Sequence, residues 1–189
     1  MAANGTTNGV ETRNSILPMR ERQTDDGSGV HTISLFVNNK PGVLVRVALV
    51  FSRRGYNIES LVVSPTPEQG FARMTITCSG DEETFEQIIK QLAKLVDVVR
   101  AEDHTDQDMV ETEVALIKLA VPLDNRTDVL QVAEHFKAKV VDYGSETLML
   151  RVYGESKKLD SMMSLLSTFD VREVVRSGKI VMTRGTART

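Results

Sequence analysis

The period at which apolar residues recur restricts this chain more than any other feature. From His31 it is two: Ile33, Leu35 and Val37 fall on one side and Ser34, Phe36 and Asn38 on the other, as in a strand. After Asn38-Asn39-Lys40-Pro41-Gly42 it lengthens, and Val43, Val47, Val50 and Phe51 recur at helical spacing. Pro41 is tolerated at the helix start because its missing N–H would be unpaired there anyway, and Gly55 is a natural stop. Residues 58–64 then read as a strand, 65–70 as a turn, and 71–78 as a strand with Ala72, Met74, Ile76 and Cys78 on one face. Asp81, Glu82 and Glu83 place negative charge at a helix start, where the macrodipole favours it; Phe85, Ile88, Ile89, Leu92 and Leu95 supply the buried stripe, and 96–101 a fourth strand. Strand, helix, strand, strand, helix, strand is the ferredoxin-like βαββαβ order, two helices on one face of an antiparallel sheet. The other face needs cover, from a dimer partner or a second domain.

The same order returns in shorter form, as a repetition of pattern and not of sequence. Residues 114–121 alternate like a strand, Val129, Val132, Ala133 and Phe136 mark a helix, and 139–141 and 147–153 flank a turn at Gly144. Leu159, Met162, Met163, Leu166 and Phe169 form a second helical stripe, and 171–175 and 179–183 look extended. A length of 189 residues fits one large domain or two small ones. The repeated pattern decides for two α+β, ferredoxin-like domains, at 31–103 and 112–185. The acidic, polar stretch 104–111 is the linker between them, 1–30 a mobile tail too polar to bury a core, and 186–189 a fraying end. With 41% hydrophobic residues and no Trp, the cores must be built from Val, Leu, Ile and Met.

A formal net charge of -3, without a dense Lys/Arg block, gives no field to hold a phosphate backbone, so nucleic acid is excluded as a partner. No apolar run approaches the roughly 20 residues that span a bilayer, so no membrane is expected. A single cysteine excludes an internal disulfide and a Cys-rich zinc site and fits a reducing compartment, the cytoplasm. An organellar address would have to lie in residues 1–30, where Glu11, Glu21, Asp25 and Asp26 are awkward for an acid-poor transit peptide.

Catalytic patterns are not found. His31, His104 and His135 fall at a strand start, in the linker and on a helix, without metal-ligand spacing, and read as surface residues. Cys78 lies on an inward strand face and reads as a small core hydrophobe. No Ser stands in a G-x-S-x-G elbow, and Gly27-Ser28-Gly29 precedes a strand instead of joining a strand to a helix. The acidic cluster 81–83 is explained by its helix start. What remains is the loop Asn39-Lys40-Pro41-Gly42: unpaired N–H groups and the positive end of a helix suit a carboxylate, and Gly42 lets a ligand approach the backbone. A plain turn has the same composition.

Two strings carry more. The segment from Asn39 to Val47, followed by Phe51-Ser52-Arg53-Arg54-Gly55-Tyr56-Asn57-Ile58-Glu59-Ser60-Leu61, resembles the ACT-domain signature of acetohydroxyacid (acetolactate) synthase small regulatory subunits. Arg73-Met74-Thr75-Ile76, the stretch 90–98, Arg176-Ser177-Gly178 and Arg184-Gly185 extend the match to about residues 32–185. The resemblance implies an N-terminal ACT domain and a C-terminal ACT-like domain, with homodimers whose ACT sheets join side by side. It also implies a branched-chain amino acid, valine foremost, bound at that junction. It places the effector at Asn39, Lys40, Pro41, Gly42, Val43 and Leu44, with Asn57 and Ile58 from the second strand. It implies no catalysis by this chain and no cofactor in it; the partner, a catalytic subunit, is expected to carry thiamin diphosphate, Mg and FAD. An ACT module serving another enzyme or a transcription factor is the alternative, distinguished by its partner.

Overall fold

The computed structural model describes residues 29–105, 107–186 and 189. The first half runs β1 (Gly29–Asn38), α1 (Val43–Ser52), β2 (Asn57–Pro65), β3 (Phe71–Gly80), α2 (Glu82–Leu92) and β4 (Val98–Asp103). Its sheet has the order β2-β3-β1-β4, with every pair antiparallel. The second half runs β5 (Met109–Ala120), a 3-10 turn (Leu123–Asn125), α3 (Arg126–His135), β6 (Lys139–Tyr143), β7 (Thr147–Gly154), α4 (Ser156–Leu166), β8 (Asp170–Arg176) and β9 (Ile180–Thr183). Its order, β6-β7-β5-β8, repeats that of the first. Both halves are ferredoxin-like α+β units. The addition is β9, which pairs with Met109–Thr112 at the start of β5 while β8 takes 115–120 of the same strand.

The two periods decide which side chains are buried. Ile33, Leu35 and Val37 of β1 and Ala72, Met74, Ile76 and Cys78 of β3 meet Val43, Val47 and Phe51 of α1 and Phe85, Ile88 and Leu92 of α2. In the second core, Ala115, Ile117 and Leu119 with Leu148, Leu150 and Val152 meet Val129, Ala133, Leu159, Met162 and Leu166. The repeat extends to single hydrogen bonds. Just after β1 the N–H of Asn39 donates to Gly70 O at 2.8 Å, and just after β5 the N–H of Val121 donates to Glu146 O at 3.0 Å.

Several boundaries differ from expectation. Gly29 and Val30 are not tail: they pair with Gly80 and Ser79 as the first residues of β1, and the rest of the expected tail lies outside the described residues. The expected linker is shorter than 104–111. Met109 to Glu111 belong to β5, whose polar start is held by β9, and the fourth strand ends at Asp103 instead of 101. The fraying end is not seen at Thr189, which is buried and whose Oγ1 accepts from the N–H of Thr183 at 2.7 Å; residues 187 and 188 lie outside the described residues.

The helix-free face of the first sheet carries Thr32, Ser34, Thr75 and Thr77, all buried. Part of its cover comes from this same chain. The N–H of His104 donates to Thr32 O at 2.8 Å, His104 Nε2 bonds Ser34 Oγ at 2.7 Å, and the turn between β8 and β9 lies against Ser60 and Val62 of β2.

Candidate functional site

The loop after β1 is shaped by three backbone ties. The N–H of Asn38 donates to Asp97 O, that of Asn39 to Gly70 O, and that of Lys40 to Asn38 O. The chain then reverses through Gly42 at φ 83°, a left-handed conformation that favours glycine, and α1 begins without a side-chain cap. Among the described residues the N–H groups of Gly42, Leu44 and Val45 meet no backbone acceptor, so the positive end of α1 is left for water or an anion. Arg46, one turn on, brings Nη1 to 3.3 Å from where a Cβ on Gly42 would stand, while its Nη2 donates to Asp97 Oδ2 at 2.5 Å. Asn39, Lys40, Pro41, Gly42 and Leu44 are exposed. Val43 packs its side chain into the core, so only its backbone belongs to the loop.

Asn57 and Ile58 open β2. The chain reaches them through Gly55 at φ 71° and Tyr56, whose ring lies over Gly80 and whose hydroxyl donates to Asp81 O. Burial and then the nearby Asp81 carboxylate push the Tyr56 phenol up to about 12. Asn57 is exposed and, with Ala48, Phe51, Ser52, Tyr56 and Ile58, lines a shallow open hollow between the end of α1 and the start of β2.

One chain does not bring these two groups together. Asn57 pairs with Ser79 at one end of β2, whereas the 39–42 loop adjoins Gly70 beyond the other end. The nine residues of β2 span roughly 26 Å at the usual rise of a strand. Asn57 opens the edge strand β2, while the 39–42 loop follows β1, an interior strand of the same sheet. Arg46 and the apolar walls Ala48 and Phe51 were missed in the sequence. The helical spacing of Ala48, Phe51 and Ser52 ahead of Asn57 was the available signal.

The other candidates find structural employment. His31 and His104 are not surface residues: both are buried, because the ends of β1 and β4 are roofed over. His31 stacks on Phe85 with ring centroids 3.8 Å apart and donates from Nε2 to Gly80 O at 3.1 Å. His104 bonds Ser34 through Nε2 and Gln107 Oε1 through Nδ1 at 2.8 Å, a Ser-His-Gln chain that runs from the buried sheet face to the exposed Gln107 and ties the segment after β4 to the sheet. Cys78 is fully buried; burial, and after it Glu59 and Asp103, push its thiol up to about 12. Asp81 caps α2 by accepting from the N–H of Thr84 at 2.8 Å, which holds its carboxyl below the usual range. Among the described residues no helix is long and apolar enough to cross a membrane.

Comparison with known proteins covers both halves. Residues 33–100 match the AHAS small subunit-like ACT domain, and residues 112–185 match the family described as small subunit of acetolactate synthase. The acetolactate synthase small subunit of Aquifex aeolicus is 43% identical over 155 residues, 82% of this chain and 81% of that protein. That of Mycolicibacterium smegmatis is 39% identical over 160 residues, 85% of this chain and 94% of that protein. The crystal structure of the Thermotoga maritima acetolactate synthase small subunit superposes with a TM-score of 0.75 at 35% identity, covering 84% of this chain and 99% of that one. With both halves matched in order, and with relatives similar over nearly their whole length, the chain belongs to the acetolactate synthase small-subunit family.

Proposed function

We propose that this chain is a non-catalytic regulatory subunit that stimulates a catalytic acetolactate synthase subunit and confers feedback inhibition by a branched-chain amino acid, valine foremost. The observation that supports the site is that Asn57 opens the edge strand β2 while the 39–42 loop lies beside Gly70, beyond the far end of that strand. Antiparallel pairing of β2 with the β2 of a second copy, about a two-fold axis, sets the Asn57 end of one protomer beside the 39–42 loop of the other. The loop offers unpaired N–H groups and the positive end of α1 to an α-carboxylate. The hollow offers Asn57 as a polar partner, and Ala48, Phe51 and Ile58 as a wall for an aliphatic side chain. In this reading thiamin diphosphate, Mg and FAD reside in the catalytic partner. The effector inhibits by favouring one geometry of the dimer on that partner; a ligand with equal affinity for both shifts nothing, and a coupling of about 1–3 kcal/mol suffices.

The test is reconstitution. The purified chain alone is expected to form no acetolactate from pyruvate, to raise the rate of the catalytic subunit across a concentration series, and to make that rate fall as valine, leucine or isoleucine is titrated. Turnover by this chain alone, or no stimulation over the whole series, overturns the proposal.

A further inference from the structure

One motif is not used by the effector site. Arg176 ends β8 and Ser177-Gly178 turn the chain toward β9; Gly178, more than a hundred residues from Asn57 in sequence, lies against the strand that Asn57 opens. Gly178 is buried at φ 82°, and a Cβ placed on it would stand 3.0 Å from Ser60 Cβ, 3.2 Å from Ser60 Oγ and 3.2 Å from Val62 Cγ2. A methyl group there requires Ser60 and Val62 to give way by a few tenths of an ångström. The turn itself is fixed to β5. The N–H of Ser177 donates to Val114 O at 2.9 Å, Ser177 Oγ accepts from the N–H of Val114 at 3.0 Å, Arg176 pairs with the buried Glu113, and Lys179 Nζ pairs with Glu111 at 3.0 Å. On the other side of the contact, Ser60 Oγ bonds Thr77 Oγ1 at 2.6 Å, and the ladder between β2 and β3 shifts register between Ile58 and Ser60. The irregular stretch that follows Asn57 is therefore the stretch the second domain touches.

We propose that Gly178 is a positioning residue for the effector edge: the 176–179 turn buttresses β2 at Ser60 and Val62, sets where Asn57 and Ile58 stand, and joins the second domain to the effector site. This rests on the effector reading above. It requires no contact between Gly178 and the amino acid. A backbone approach this close transmits displacement because packed interiors have few voids to absorb it.

Five variants of the full-length chain separate this role from general damage. Gly178→Ala fills the contact. Ser60→Leu fills it from β2 without touching a left-handed residue. Gly178→Ala with Ser60→Gly removes the opposing Cβ, beside Ser60→Gly alone as its baseline. Gly185→Ala adds a Cβ at φ 74° where nothing lies within 4 Å, so it carries the backbone strain without the contact. Calorimetric titration with valine, leucine and isoleucine and hydrogen exchange of the β2 amides are read on each. Gly178→Ala and Ser60→Leu are expected to weaken the preferred amino acid about ten-fold and to speed β2 exchange; Ser60→Gly restores most of the loss, and Gly185→Ala changes neither readout. Unchanged affinity and exchange in Gly178→Ala, an equal loss in Gly185→Ala, or no rescue by Ser60→Gly overturns the proposal. If the unsubstituted chain binds none of the three amino acids, the effector reading fails, and the exchange pattern alone decides whether the turn buttresses β2.

Discussion

Glycines show most directly how this chain spends conformational freedom. Gly42 stands at φ 83° with Arg46 Nη1 3.3 Å from the place of a Cβ, so Gly42→Asp puts a carboxylate within reach of that guanidinium and at the N–H groups an effector carboxylate would use. It is expected to abolish inhibition while leaving most stimulation, at a backbone cost of roughly 1–2 kcal/mol. Asn57→Ala is the milder companion, since it removes one amide and adds no charge. Titrating the three branched-chain amino acids against the reconstituted enzyme checks both; unchanged inhibition in both places the site elsewhere. Gly80 is needed for a different reason: a Cβ there would lie 2.0 Å from Tyr56 Cζ, so Gly80→Ala expels the ring that leads into β2. Overpacking of this kind costs about 1–3 kcal/mol, to be measured by urea unfolding. Two acids favour their neutral forms in the fold, Cys78 and Tyr56, each raised to about 12 from 9.0 and 10.0. A raised acid pKa gives stability that is complete below the unfolded value and lost as pH climbs toward the folded one. Stability is therefore expected to fall above about pH 9 and continue falling to about 12. Cys78→Ala should flatten the earlier part of that decline in melting temperature; an identical decline would assign it to other groups.

Among the elements, the loop after β5 is held by one buried cation. Arg126 opens α3 with its side chain almost wholly buried, donating from Nε to Val121 O at 3.0 Å and from Nη2 to Gly144 O at 2.5 Å and Ser145 O at 3.0 Å, and stacking on Tyr143 at 4.2 Å. This guanidinium pins the loop after β5 to the turn between β6 and β7. Arg126→Met keeps the packing but strips those carbonyls of their donor, and is expected to cost about 2–4 kcal/mol in urea unfolding. A loss under about 0.5 kcal/mol would show that the carbonyls find other donors. The strands and helices were legible because Ile33, Leu35 and Val37, or Leu159, Met162 and Leu166, fix a face by spacing alone. The 39–42 loop was legible for a similar reason, since the interval between two periods is itself a signal. What escaped were features made by residues far apart: the burial of His104 against Ser34, the start of β5 held by β9, and the Arg126 plug. Composition marked 104–111 as polar, and polarity does not reveal a partner strand that arrives seventy residues later.

At the scale of the molecule, the second half meets the first where Gly178 seats on Ser60 and Val62. The buried face of the first sheet, Thr32, Ser34, Thr75 and Thr77, is polar; Ser34 Oγ meets His104 just after β4, and Thr77 Oγ1 meets Ser60 of β2. His104 meets Ser34, Thr105 Oγ1 accepts from the N–H of Thr32 at 3.3 Å, and Gly178 seats on Ser60 and Val62. Pulling the halves apart would uncover Ser60 and Val62, while the His104 and Thr105 ties, just after β4, stay with the first half. Chains with two domains commonly melt in steps; this one is expected to give a single calorimetric transition whose van't Hoff and calorimetric enthalpies agree, at fixed protein concentration so that any dimer is held constant. Ser34→Ala removes the hydroxyl and leaves His104 Nε2 buried without it. The variant is expected to lose about 1–3 kcal/mol and to melt roughly 2–8 °C lower, still in one step, because the Gly178 contact remains. Two resolved transitions in the unsubstituted chain would mean that the halves unfold independently. The turn at 176–179 would then have too little hold on β2 to position Asn57.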